Sequence, residues 1–156
     1  MRLELVKDWM TREVITAPPE MGLLDADKLM RDQGIRRMPV LDSDGRLLGI
    51  ITFGDVRGAR PSTATSLSSW EINYLLANLS VADVMQQEPI TVTPNTTIGE
   101  TAQLMLEHKI SGLPVLENDK LAGIITESDI FRMVVHDWMR MQKGPTSPYA
   151  HYQQND

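Results

Sequence analysis

A chain of 156 residues, 42% hydrophobic and 23% charged, has the length and mix of a globular protein with room for a buried core. The absence of cysteine excludes disulfides, thiolate nucleophiles and thiolate metal sites. A net charge of -6 argues against general binding to a nucleic-acid backbone, and no stretch approaches the roughly 20 apolar residues that cross a bilayer.

The opening MRLELVKDWM carries charges where an export signal has its apolar core, so a cytoplasmic protein is expected. A short β segment around Ile15 follows, ended by a proline-containing loop. Leu23, Ala26, Leu29 and Met30 keep helical spacing and predict a helix over 23–33. Two short apolar strands, 38–41 and 47–52, flank Asp42-Ser43-Asp44-Gly45, where Asp-Gly signals a hairpin turn with positive φ. Another helix starts at Thr52-Phe53-Gly54-Asp55. Residues 60–66 are small, polar and loop-like, and Ser68 with Glu71 then forms a capping box, with Leu67 and Ile72 placed for a hydrophobic staple. Ile72, Leu75, Leu76 and Leu79 make one apolar stripe for a core face or a partner.

From Val81 the order begins again. Val6-Lys7-Asp8-Trp9-Met10 returns as Val81-Ala82-Asp83-Val84-Met85, Pro39-Val40-Leu41 as Pro114-Val115-Leu116, and Gly49-Ile50-Ile51-Thr52 as Gly123-Ile124-Ile125-Thr126. About twenty of some fifty paired positions are identical, the mark of an internal repeat. The second copy has its β segment at Ile90, a helix built on Ile98, Ala102, Leu104, Met105 and Leu106, and a shorter turn at Glu117-Asn118-Asp119-Lys120. Its last helix starts at Thr126.

The fold class is therefore α/β (α+β): two β-α-β-β-α repeats, 1–60 and 81–142, joined by a linker with a helix (61–80) and followed by a polar tail (143–156). So small a unit buries only about 60% of its unfolded surface, so the copies are expected to pack sheet to sheet about a pseudo-twofold axis. Any cleft there is lined twice, by equivalent residues. In the last helix Ile130, Val134 and Trp138 form a stripe that Met133, Met139 and Met141 widen, which points to a dimer contact.

Thr52-x-x-Asp55 and Thr126-x-x-Asp129 have two readings. Each is a capping box for the helix it opens, or a hydroxyl and a carboxylate for the phosphate and ribose of a ligand at the helix start. Arg36-Arg37 is either a solvated pair or a phosphate fork. The second copy has Ser111-Gly112 in their place, but offers Ser128 where the first has Gly54, so the two sites should differ in preference. No catalytic or metal site is expected: His108 lies near a predicted helix C-terminus, where it reads as a cap, His136 and His151 lack partners at a ligand spacing, and Asp55 and Asp129 lack a nucleophile or base beside them.

With its doubled Asp-x-Met opening, hydrophobic-Pro-Val strand and closing Gly-Ile-Ile-Thr-x-x-Asp, the chain resembles a tandem pair of CBS (cystathionine beta-synthase) domains, a Bateman module. The likeness covers residues 6–57 and 81–132, and the linker text around Trp70 is similar to that of bacterial CBS-pair proteins related to acetoin-utilisation regulators. The resemblance implies a non-catalytic sensor with no required cofactor, binding AMP, ADP, ATP or S-adenosylmethionine as regulatory ligand. Asp55 and Asp129 would hold ribose hydroxyls, and Thr52, Thr126 and Ser128 would touch ribose or phosphate. Ile15-Thr16-Ala17 and Ile90-Thr91-Val92 would frame the adenine, and Arg36 and Arg37 would reach phosphates. Met38, Pro39, Ser111, Gly112, Leu113 and Pro114 complete the expected site. It further implies a disc-like homodimer and an unnamed regulated protein, with no nucleic acid and no membrane insertion. The alternative is a protein-interaction or oligomerisation module with vestigial nucleotide sites.

Overall fold

The computed structural model describes residues 3–62 and 65–142. The first repeat comprises α1 (Val6–Trp9), α2 (Leu23–Gln33), β1 (Arg37–Leu41), β2 (Leu47–Thr52) and α3 (Phe53–Gly58). The linker carries α4 (Ser69–Ala77), and the second repeat α5 (Val81–Val84), β3 (Gln86–Gln87), α6 (Ile98–His108), β4 (Gly112–Glu117), β5 (Lys120–Thr126) and α7 (Glu127–Gln142). Helix α2 ends at Gly34, whose left-handed φ of 64° lets its N–H return to the carbonyls of Arg31 and Met30. The turn between β1 and β2 uses Gly45 at φ 80°; that between β4 and β5 puts Asn118 and Asp119 at 51° and 61°.

Acidic residues close several helix starts. Glu71, Asp83 and Glu100 have their carboxyl pKa values lowered, chiefly by accepting the backbone N–H of Ser68, Ser80 and Thr97.

The first β segment of each copy is smaller than its apolar run predicts. It is reduced to one parallel bridge, Ala17 to Val40 and Val92 to Val115. Pro18-Pro19 follow Ala17 at once and Pro94 follows Val92 with only Thr93 between, and a residue without an N–H cannot extend the ladder. The α4 stripe also differs from expectation. Leu76 is buried, and Ile72 and Leu79 pack against the first core, but Leu75 faces outward.

The repeats are held together by exchanged openings. The Val6 N–H donates to Thr96 O at 2.9 Å and the Ile98 N–H to Glu4 O at 2.9 Å; at the equivalent places Val81 donates to Met21 O at 2.8 Å and Leu23 to Leu79 O at 2.9 Å. Helix α1 thus sits on the second repeat, where Val6 packs with Val92, Ile98, Leu113, Val115 and Ile125. Helix α5 sits on the first, where Val81 joins Leu23, Met30, Met38, Val40 and Ile51. Each excursion ends in the other repeat's sheet: β3 pairs with β2, making the order β1-β2-β3, and Thr11 bridges Ile124 beside β4-β5. The chain thus crosses between the two small antiparallel sheets at both openings.

Candidate functional site

The exchange brings two corners of the chain face to face. In the first repeat, Arg36 O accepts the Phe53 N–H at 2.7 Å, fixing the start of β1 beside the first turn of α3. In the second, Ser111 O accepts the Glu127 N–H at 3.0 Å and does the same for β4 and α7. Across the boundary an Arg37 guanidinium N–H donates to Ser111 Oγ at 2.8 Å.

A cleft opens on either side of this contact. Cleft A, about 660 Å³, is lined by Thr11, Glu13, Ile15, Arg36 and Arg37 from the first repeat, and by Ser111, Thr126, Glu127, Ser128 and Arg132 from the second. Cleft B, about 480 Å³, is lined by Arg36, Arg37, Thr52, Gly54 and Arg57, and by Gln86, Lys109, Ser111 and Gly112. Both volumes lie in the range of small-molecule sites, about 300–1,000 Å³. Arg36, Arg37 and Ser111 belong to both.

The Thr-x-x-Asp elements act as caps. Asp55 Oδ2 accepts the Thr52 N–H at 2.8 Å, and Thr52 Oγ1 accepts the Asp55 N–H at 3.1 Å. Asp129 Oδ2 accepts both the N–H and the hydroxyl of Thr126, at 2.8 and 3.1 Å. The remaining oxygens turn to cleft-lining side chains. Gln86 of cleft B donates to Asp55 Oδ1 at 3.1 Å. Arg132 of cleft A lies 2.7 Å from the buried Asp129 Oδ1 as an ion pair, without the alignment of a hydrogen bond.

Of the expected site residues, cleft A gathers Ile15, Arg36, Arg37, Ser111, Thr126 and Ser128, and cleft B gathers Arg36, Arg37, Thr52, Ser111 and Gly112. Ala17, Met38, Pro39, Val92, Leu113 and Pro114 are buried and line neither cleft, and Asp55 and Asp129 meet the linings only through Gln86 and Arg132. Thr16 and Ile90 line neither cleft, and Thr91 and Val92 border a separate groove along α6 with Glu100 and Leu104. Glu13, Arg57, Gln86, Lys109, Glu127 and Arg132 line the clefts without having been expected there. Gln86 reaches cleft B only through the exchanged strand β3, which local periodicity does not reveal.

Arg37 is shaped by its setting. Burial pushes its pKa below the usual arginine value; Glu127 opposes that shift and Arg36 adds to it. The side chain lies against Gly112, where a Cβ would come 2.5 Å from Arg37 Nη1 and 2.7 Å from its Cδ. Elsewhere, His108 ends α6 and His136 stands edge-on to Trp9 at 5.4 Å, while His151 falls outside the described residues. Among the described residues no cluster of three or more potential metal ligands occurs, and no helix is long and apolar enough to cross a membrane.

Comparison with known proteins matches this arrangement. The CBS domain family matches residues 6–62 and 81–136. A putative acetoin utilization protein (AcuB) from Vibrio cholerae superposes with a TM-score of 0.74 at 31% identity, covering 90% of this chain and 96% of that one. The CBS domain pair of protein MJ0100, solved with 5-methylthioadenosine and S-adenosyl-L-methionine, gives 0.73 at 27% identity, covering 87% and 99%. CBSX2 in complex with AMP gives 0.73 at 26%, covering 86% and 98%. The chain spans 46% of an uncharacterized Methanocaldococcus jannaschii protein, MJ1225, to which it is 34% identical over 137 residues. Two matched repeats, crossed openings and a shared boundary of clefts agree: the chain belongs to the CBS domain family and carries the domain twice.

Proposed function

We propose that this chain is a regulatory module without catalysis of its own, taking adenosine-containing ligands in clefts A and B and signalling by a change in how the repeats pack. The observation that carries this reading is the pair of equivalent clefts, each bringing a capping threonine (Thr126 or Thr52) to Arg36 and Arg37. Guanidinium forks suit phosphate oxygens. The ribose diol would take over the contacts that Gln86 and Arg132 now make with Asp55 Oδ1 and Asp129 Oδ1. The ligands named for MJ0100 and CBSX2 support the adenosine class. A ligand acts only through unequal affinity for two arrangements, and the crossed openings supply the element whose packing can differ.

Titration calorimetry of AMP, ADP, ATP and S-adenosylmethionine into ligand-stripped protein tests it. At least one should bind saturably, and Arg36→Ala with Arg37→Ala should weaken AMP, ADP or ATP by about tenfold or more, the scale of a lost charge-assisted contact. Silence from all four with folded protein rejects the reading.

One observation favours an interaction role as well. Helix α7 leaves Phe131, Val134, Val135, Trp138 and Met139 exposed at the spacing of one apolar helical stripe, with Met141 exposed beyond them. We place a homodimer contact there. Wild-type protein should sediment as a dimer and Trp138→Glu as a monomer; a monomeric wild type at tens of micromolar removes this contact.

A further inference from the structure

We propose that Arg37 is a single anion receptor shared by the two clefts, so that a phosphate-bearing ligand in one weakens binding in the other. The inference rests on the nucleotide reading above and adds how its two sites are coupled.

Two equivalent repeats should each present a guanidinium at this place, and they do not. The second repeat has Gly112 where the first has Arg37, and the space a side chain would need there is filled by Arg37 itself, 2.5 Å from the position of a Cβ. The Arg37 side chain therefore crosses the boundary, donates to Ser111 Oγ at 2.8 Å, and lines clefts A and B together. At the equivalent place the second repeat has Gly112, with no side chain to send back. Arg36 also borders both clefts, but it is exposed, so water screens it, whereas Arg37 is half-buried and its field is stronger.

The rest of the lining makes the competition unequal. Cleft B adds Arg57 and Lys109 and no carboxylate. Cleft A adds Arg132, already paired with Asp129 at 2.7 Å, and the acids Glu13 and Glu127. An anion in cleft B can draw on Arg37 together with its own cations. Cleft A is then left with the exposed Arg36, two carboxylates and an Arg132 already paired with Asp129. The first ligand is therefore expected in B, and A should fill late or not at all.

Calorimetric titration of ATP into the ligand-stripped full chain tests this, together with ¹⁵N NMR of the Arg37 Nε–H. Wild type should bind one equivalent, or two separated by about tenfold or more, the scale of one charge-assisted contact. Arg37→Ala should weaken the first step and bring the two steps together. In the wild type, needing no variant, the Arg37 Nε–H resonance should move during the first equivalent and not during the second. Two equal, independent steps, a gap that survives Arg37→Ala, or an Arg37 resonance that ignores ligand overturns sharing while leaving the nucleotide reading intact. Absence of any binding overturns both.

Discussion

Replacing Val6 by aspartate should destroy the second repeat's core although Val6 belongs by sequence to the first. Val6 is fully buried among Val92, Ile98, Met105, Leu113, Val115 and Ile125. A carboxylate there meets no donor, and an unpaired buried charge belongs to the class of substitutions that cost more than about 4 kcal/mol. That is a large part of the roughly 5–15 kcal/mol that holds a domain together. Val6→Ala, which removes only apolar contact, should cost about 2 kcal/mol and keep the fold. Hydrogen exchange in Val6→Ala separates the bodies. Protection should fall first at Val92, Val115 and Ile125, and later at Val40 and Ile51. Loss confined to the first core would show that α1 does not pack where the structure places it. The mirrored change, Val81→Ala, should reverse the order, because Val81 sits with Leu23, Met38 and Ile51.

That exchange is the part of the fold the residues do not announce. Val6 and Val81 look alike in the sequence, and a four-residue helix is too short for its periodicity to say which body it covers. The longer elements were legible because their signals are local. The spacing of Leu23, Ala26, Leu29 and Met30 marked α2 at its observed bounds, and Ser68 with Glu71 marked the start of α4. Leu75 broke the expected stripe because the first core meets only the narrower line of Ile72, Leu76 and Leu79.

The site was legible in a similar, partial way. Arg36 and Arg37 stand out by charge and the threonines by recurrence, and all four line clefts. That the aspartates stand behind the threonines, each with one oxygen in the cap, follows from helix geometry that either reading of Thr-x-x-Asp allows. That one arginine serves two clefts depends on Gly112 across the boundary, some 75 residues away, and no local pattern encodes that distance. What the repeat does encode is the requirement for small residues at two equivalent crossings, Gly49 and Gly123.

Alanine at those glycines should loosen one crossing each and disturb one cleft each. At Gly49 a Cβ would lie 2.5 Å from Gln86 O and 2.9 Å from Met85 Sδ; at Gly123 it would lie 2.6 Å from Thr11 O and 2.9 Å from Met10 Sδ. The methionine tips can swing aside, but a carbonyl in the ladder cannot retreat without opening the pairing of β3 with β2, or of Thr11 with Ile124. Overpacking of this kind costs about 1–3 kcal/mol, so each variant should melt roughly 2–12 °C below wild type. The glycines belong to separate crossings, so the double variant should show close to the sum. The functional consequence is directional. Gln86 lines cleft B and Thr11 lines cleft A, so Gly49→Ala should weaken ligand binding at B, and Gly123→Ala at A. Calorimetry on the two variants, beside their melting curves, reads both effects in one preparation. Unchanged melting in both would mean that the exchanged segments are not seated tightly on the glycines. Lowered melting with identical effects on both binding steps would mean that the crossings hold the fold but do not position the clefts.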